Sequence, residues 1–353
     1  MMKNNNIQFW NKKRFWTALV VVQFFLVTII KNSQLLISAF EYWFEFQKEI
    51  HLKLFSWIPF SIGDLFYGIA IIYLVYQIFR LFNPSTRKHS LLNILKFFNI
   101  AYFTYQIFWG LLYFQKPIAD SLDGKPIENK ELKELTLYYL QRCKTTRAMV
   151  QENKQGVFSI ENLEKVKDDI LQQQRLLPSF IMKKNLRSQS IKKGLIGKFM
   201  NYTGILGYYN PFTAELQYNP HLPHTSLPMT LAHESSHQMG YAREEEANFV
   251  GYLIGINSTN KDLKYSTEWF TLQSLLNALY DSDPQFCERI LKHYSDGMKR
   301  DRKHILLYRE KYQGWIENLL HTTNDWFLKS NQQDGSITYS YFVELLVKYH
   351  RKQ

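Results

Sequence analysis

Cysteine is nearly absent: the 353 residues include two, Cys143 and Cys287. That excludes a CxxC metal site and a disulfide framework, and leaves open one bridge or two separate thiols. Lysine and arginine outnumber aspartate and glutamate, 43 to 31. No long basic block occurs, so nothing marks a nucleic-acid footprint. Internal repeats and low-complexity segments are lacking too. Charged residues are scarce within three long apolar runs of the first third, which argues against a transporter whose spans carry the function.

What is abundant is aromatic side chain, 16% of the chain, crowded into that first third. The runs are "FWTALVVVQFFLVTII" (15–30), "FSIGDLFYGIAIIYLVYQIF" (60–79) and "FFNIAYFTYQIFWGLLYF" (97–114). A bilayer span needs ~20 mainly apolar residues, and each run approaches that. Trp10, Phe15 and Trp16 suit an interface. The first run, with NKKR before it and LISAF after, also fits a cleavable signal peptide; two further runs argue against that. Asp64 belongs near the headgroups, at the end of its span, or is an intramembrane functional acid. Lys3, Lys12, Lys13 and Arg14 precede the first run. Arg80, Arg87, Lys88 and Lys96 follow the second without acids. The first connection instead mixes Lys31, Lys48 and Lys53 with Glu41, Glu45 and Glu49. The basic bias places the N-terminus and second connection in the cytoplasm, and everything from Gln115 onward outside it. The segment "FEFQKEIHLKLFSWIPF" reads as an amphipathic helix lying on the outer surface.

From Gln115 the chain turns polar and mostly helical in period. "SIENLEKVKDDILQQQRLL" opens with Ser159 in a cap-like start. "GYYNPFTAELQYNP" (207–220) breaks the pattern, and Thr213, Leu216 and Tyr218 suit a short extended piece.

The chemistry concentrates in "TLAHESSHQMGYAREEEANFVGYLIG" (230–255). On a helix, i and i+4 share a face, so His233 and His237 can hold one ion. Glu234, beside the first of them, reaches the open coordination side. Zinc takes such a set with a carboxylate and a water, and the glutamate removes the water's proton. The N/N/O donors favour zinc over other divalent ions. Gly240 can end the helix in a left-handed cap and turn the chain back. Without that turn His237 and Glu244 would lie ~10 Å apart along a straight helix. Ala247, Gly251 and Gly255 form a small-residue stripe that would let the second helix lie closely on the first. Glu244 lies on this stripe; Glu246 heads a bulkier face and is the alternative ligand. The plain alternative is a solvated helix whose histidines pair with Glu244–Glu246.

Arg243 and Glu244-Glu245-Glu246-Ala247-Asn248 resemble the E-x-x-A-D/N helix of gluzincin metallopeptidases, such as the membrane-bound prenyl-protein and heat-shock endopeptidases. "NYTGILGYYNPFTAELQYNP" with the stretch above is similar to a bacterial family of uncharacterised three-span membrane proteins. That family carries a zinc-peptidase domain expected outside the cytoplasm. The resemblance implies Glu244 as third ligand and Asn248 as hydrogen-bond partner of a ligand histidine. Asn stands where the endopeptidases have Asp, without the charge that raises ligand basicity. In zincins an edge strand before the HExxH helix pairs with extended substrate. The Thr213–Tyr218 piece is either that strand or an ordinary hairpin. Tyr241, His221, His224, Tyr339 and Tyr341 are candidate oxyanion donors, none of them assigned.

The expectation is a mainly α chain in two domains. Residues 1–114 form a membrane domain with three spans. Residues 115–353 form an extracytoplasmic, zincin-like domain with a short β element before the HExxH helix. It would be an inner-membrane zinc metallopeptidase holding one zinc on His233, His237 and Glu244, with Glu234 as general base and a peptide or protein as substrate. The competing readings are a metal-stabilised envelope scaffold without turnover and a signalling component.

Overall fold

The computed structural model describes residues 12–181, 189–330 and 338–352. Lys3, Trp10 and the side chain of Tyr339 lie outside the described residues. The chain divides into two compact units, residues 1–115 with 211–213, and residues 116–210 with 214–353.

The first unit holds α1 (Lys13–Lys31), α2 (Gln34–Phe55), α3 (Ile62–Leu81) and α4 (Pro84–Phe108). Short polar side chains start three of them. Ser33 accepts from Leu36 N–H, Ser61 from Asp64 N–H and Asn83 from Ser85 N–H, which satisfies donors that a helix end leaves open. Among the described residues, α1 and α3 are long and apolar enough to cross a membrane. Only 6% and 11% of their most apolar windows are buried. The core helix of a soluble protein would bury far more. Here Val21, Phe25, Ile69, Ile72 and Phe79 are exposed.

The expected third span, 97–114, is not one helix. Its first part is the second half of α4; Gly110–Phe114 forms a separate 3-10 turn. Asn83 caps α4, and Pro84 fits its first position, where a missing N–H costs nothing. The helix therefore begins 13 residues before the apolar run, within the charged segment. α2 is continuous from Gln34 and buries Ile37, Phe40, Phe44 and Leu52, one helical face, within the unit.

The second unit opens with α5 (Asn129–Arg147), whose start is a capping box of Glu128 and Glu131. α6 (Leu163–Gln174) is capped by Asn162, not by Ser159. The Asn162 side chain accepts from Lys165 N–H at 3.1 Å, so the helix starts later than the Ser–Glu spacing suggests. A three-stranded sheet follows, with β1 (Ile191–Lys193), then the short helix α7 (Gly197–Thr203), β2 (Gly207–Asn210) and β3 (Glu215–Tyr218). Its order is β1-β3-β2. β1 runs parallel to β3 with Ile191 opposite Leu216, and β2 runs antiparallel with Tyr209 opposite Leu216. Of the two readings of the Thr213–Tyr218 piece, the edge strand fails and the hairpin holds: its strand, Glu215–Tyr218, is central, pairs antiparallel with β2 and is buried throughout. β2 stands at the end of the order.

The remaining helices are α8 (Leu227–Gln238), α9 (Glu244–Ile256), α10 (Lys261–Tyr280), α11 (Pro284–Lys292), α12 (Asp296–Tyr312), α13 (Trp315–Ser330) and α14 (Thr338–His350). α9 and α10 are the centre of the unit. α9 packs on α8, α10 and α14, while α10 packs on α5, α8 and α11. One buried carboxylate of the unit is fully engaged. Asp301 accepts from Arg147 Nε at 2.5 Å, the Tyr265 hydroxyl at 2.7 Å and Phe158 N–H at 2.8 Å. A buried carboxylate so satisfied joins α5, α10 and α12 without an open charge. Cys143 and Cys287 are separate buried thiols.

Candidate metal centre

The site is built by the turn between α8 and α9. α8 ends at Gln238, and Gly240 takes a positive φ of 96°. Gly240 N–H donates to His237 O at 2.8 Å and Tyr241 N–H to Ser236 O at 3.2 Å. These are the paired bonds of a Schellman C-cap, which favours glycine at the left-handed position. The reversal carries the Tyr241 carbonyl back to His237, whose Nδ1 lies 2.6 Å from it. A carbonyl can only accept, so that nitrogen carries the proton and Nε2 faces the other way.

α9 then runs back along α8. Asn248 Oδ1 lies 2.8 Å from His233 Nδ1. With both Nδ1 atoms engaged, both Nε2 atoms turn toward Glu244, the first residue of α9. Its carboxylate oxygens lie 3.4 Å from His233 Nε2 and 3.7 Å from His237 Nε2. His233, Glu234 and His237 also offer donor atoms within 4.8 Å of one another. Glu246, the alternative, is engaged elsewhere: it accepts from Ile118 N–H at 2.8 Å and lies 3.6 Å from Arg243. Glu245 is half-buried.

The close approach of the helices rests on Gly251. A Cβ there would lie 3.0 Å from His233 N and 3.1 Å from its Cα. The small-residue stripe does not continue along α8, however. The Gly255 position is filled by Thr267 of α10, because α10 takes over as neighbour beyond Gly251.

Glu234 is buried, and its Oε2 has no hydrogen-bond partner among the described residues. Burial raises its pKa; the two imidazoles oppose this and Glu244 adds to it. Burial would also raise Glu244, but its bonds to His233 and His237 hold its carboxyl well below the usual range. His237 shows the counterpart. Burial disfavours its charge, yet Glu244, Glu234 and the Tyr241 carbonyl raise its pKa to about 9.

One participant is not visible in the motif. Gly207, the first residue of β2, lies against the Glu234 side chain. A Cβ there would stand 2.9 Å from Glu234 Cγ and 3.1 Å from its Oε1. The glycine in "GYYN" was the available signal, since a glycine within a strand marks close approach. Of the candidate oxyanion donors, the Tyr241 hydroxyl donates to Ile181 O. His224 Nδ1 accepts from Ile160 N–H at 2.9 Å. His221 is exposed and Tyr341 half-buried.

The class is a mainly helical chain with, among the described residues, two helices long and apolar enough to cross a membrane ahead of a helical unit. Residues 40–347 match the family described as Protein of unknown function (DUF3810), and the chain belongs to that family. No curated protein and no solved structure matches the chain.

Proposed function

We propose that this protein is a membrane-anchored, zinc-dependent peptidase whose second unit carries the active site outside the cytoplasm. The observation that carries the proposal is one carboxylate, Glu244, facing two imidazole Nε2 atoms whose Nδ1 atoms are both held. Two donors ~2.0–2.1 Å from one tetrahedral zinc lie roughly 3.3 Å apart. The separations of 3.4 and 3.7 Å are close to that edge. The donor set, two imidazoles and a carboxylate, is one that zinc prefers. The charge balance that raises His237 and lowers Glu244 can be met by protons or by one divalent ion, so binding would release protons.

A bound zinc supplies Lewis acidity and makes a water nucleophilic near neutral pH. His233, His237 and Glu244 would hold it. Glu234, adjacent to a ligand and with an unpartnered Oε2, takes the proton of the attacking water. It then returns that proton to the leaving amine. Asn248 and the Tyr241 carbonyl orient the imidazoles. Gly207 brings β2 against the base, so extended substrate bound along that end of the sheet would run beside it.

α4 is read as a third crossing: 25 residues span about 37 Å, more than the ~30 Å hydrocarbon core. With the basic N-terminus in the cytoplasm, three crossings put the second unit outside an inner membrane.

The test is the Glu234→Gln variant of the full chain, purified in detergent. It should keep wild-type zinc and lose hydrolysis of peptide libraries by on the order of 10²–10⁴-fold. Loss of metal with the fold intact would make Glu234 a ligand or structural group. A wild type that holds zinc but cleaves nothing would favour a metal-stabilised scaffold.

A further inference from the structure

Within the first unit, α3 and α4 leave an open groove of about 520 Å³. Phe66 and Ile69 of α3 face Phe97 and Ile100 of α4 along its apolar length. Its other end is lined by Tyr73, Asn93 and Lys96. The Lys96 ammonium lies 5.8 Å from the centre of the Trp16 ring. Trp16 belongs to the first turn of α1, two residues after the run Lys12, Lys13 and Arg14. The cationic end of the groove is therefore level with the basic entry to α1. No aspartate or glutamate occurs between residues 65 and 119, whereas Arg80, Arg87, Lys88 and Lys96 all do.

These features have one chemistry in common. The apolar wall is left uncovered on helices long enough to sit in a bilayer. A cation deep on such a helix is costly unless it reaches an interface or a counter-charge. The helix pair's acid, Asp64, stands in the first turn of α3, at the far end of the groove from Lys96, so the counter-charge at Lys96 has to be supplied from outside the helix pair. A small free anion would leave the apolar wall unused. A zwitterionic lipid brings its own cation to an already basic end. We propose that the groove seats one anionic phospholipid, its phosphate at Lys96 and Asn93 and one acyl chain along Phe66, Ile69, Phe97 and Ile100. The site lies in the leaflet that the basic N-terminus faces, where anionic headgroups attract cations. The inference rests on α3 and α4 lying in a membrane. It is independent of the peptidase reading.

The experiment is native mass spectrometry of the full chain in detergent, supplied with phosphatidylglycerol or phosphatidylcholine. The wild type should retain one phosphatidylglycerol under activation that strips phosphatidylcholine. Lys96→Gln should lower that retention about fivefold, the worth of one cation near an anionic surface. Ile100→Trp fills the apolar wall without touching charge and should displace the lipid as well. Lys88→Gln, at an exposed position of the same helix, should leave it bound. Equal retention of both lipids by the wild type overturns the proposal. So does a Lys88→Gln loss as large as that of Lys96→Gln, because the effect would then be diffuse charge. A chain that stays soluble and monodisperse without detergent would instead refute the membrane placement.

Discussion

Gly207 of β2 leaves, where a side chain would stand, the space taken by the Glu234 side chain of α8. A methyl group at Gly207 would meet the Gln217 carbonyl at 2.9 Å as well as Glu234 Cγ at 2.9 Å. The carbonyl is backbone within the sheet and the glutamate is a side chain, so the glutamate is the part that gives. Misplacing a reacting group by about 1 Å can cost on the order of a hundredfold in rate. Gly207→Ala should therefore lower kcat by roughly 10–100-fold while zinc content stays at wild-type level, because the atoms nearest the added methyl belong to Gln217 and Glu234 and not to an imidazole or Glu244. Steady-state kinetics with metal analysis on the same sample checks this. An unchanged kcat would remove Glu234 from the chemistry or β2 from its neighbourhood.

At the scale of elements, legibility follows locality. The α8–turn–α9 unit was readable because its determinants are close in sequence: i,i+4 histidines, a glycine for the left-handed cap, and small residues for close packing. The stripe was over-extended, since which neighbour Gly255 meets depends on α10, which sequence spacing does not locate. Strand order was likewise hidden. Four-residue strands carry little periodicity, and β3 is central only because β1, more than twenty residues earlier, pairs with its other side. The apolar part of α4 was visible, but its true start was not. Asn83 and Pro84 lie among charged residues, outside any apolar window. α4 decides topology. If it crosses together with α1 and α3, the C-terminus lies opposite the N-terminus; if only α1 and α3 cross, both ends share a side. Alkaline phosphatase fused after the last residue should be active in cells, and a cytoplasmic reporter at the same point silent. The reverse pattern would mean two crossings and a cytoplasmic site.

For the whole molecule, the first unit presents apolar surface outward and the second buries a polar cluster. In the second unit burial makes the chemistry. Glu244 is held in its charged form by His233 and His237, and His237 by Glu244, Glu234 and the Tyr241 carbonyl; a divalent ion can take the place of the protons they share. The account stands on that cluster being a metal centre with Glu244, not Glu246, as its carboxylate. Glu246 has a separate task, accepting from Ile118 N–H, so its loss should weaken folding more than metal binding. The direct measurement is zinc stoichiometry and affinity of the purified full chain for wild type, Glu244→Ala and Glu246→Ala side by side. The account predicts one zinc per wild-type chain. It predicts wild-type affinity in folded Glu246→Ala. For Glu244→Ala it predicts a loss of no less than the roughly 10–100-fold that outer-sphere changes cost. A wild type without zinc after metal loading, or a Glu244→Ala chain that keeps its zinc while Glu246→Ala loses it, would contradict it.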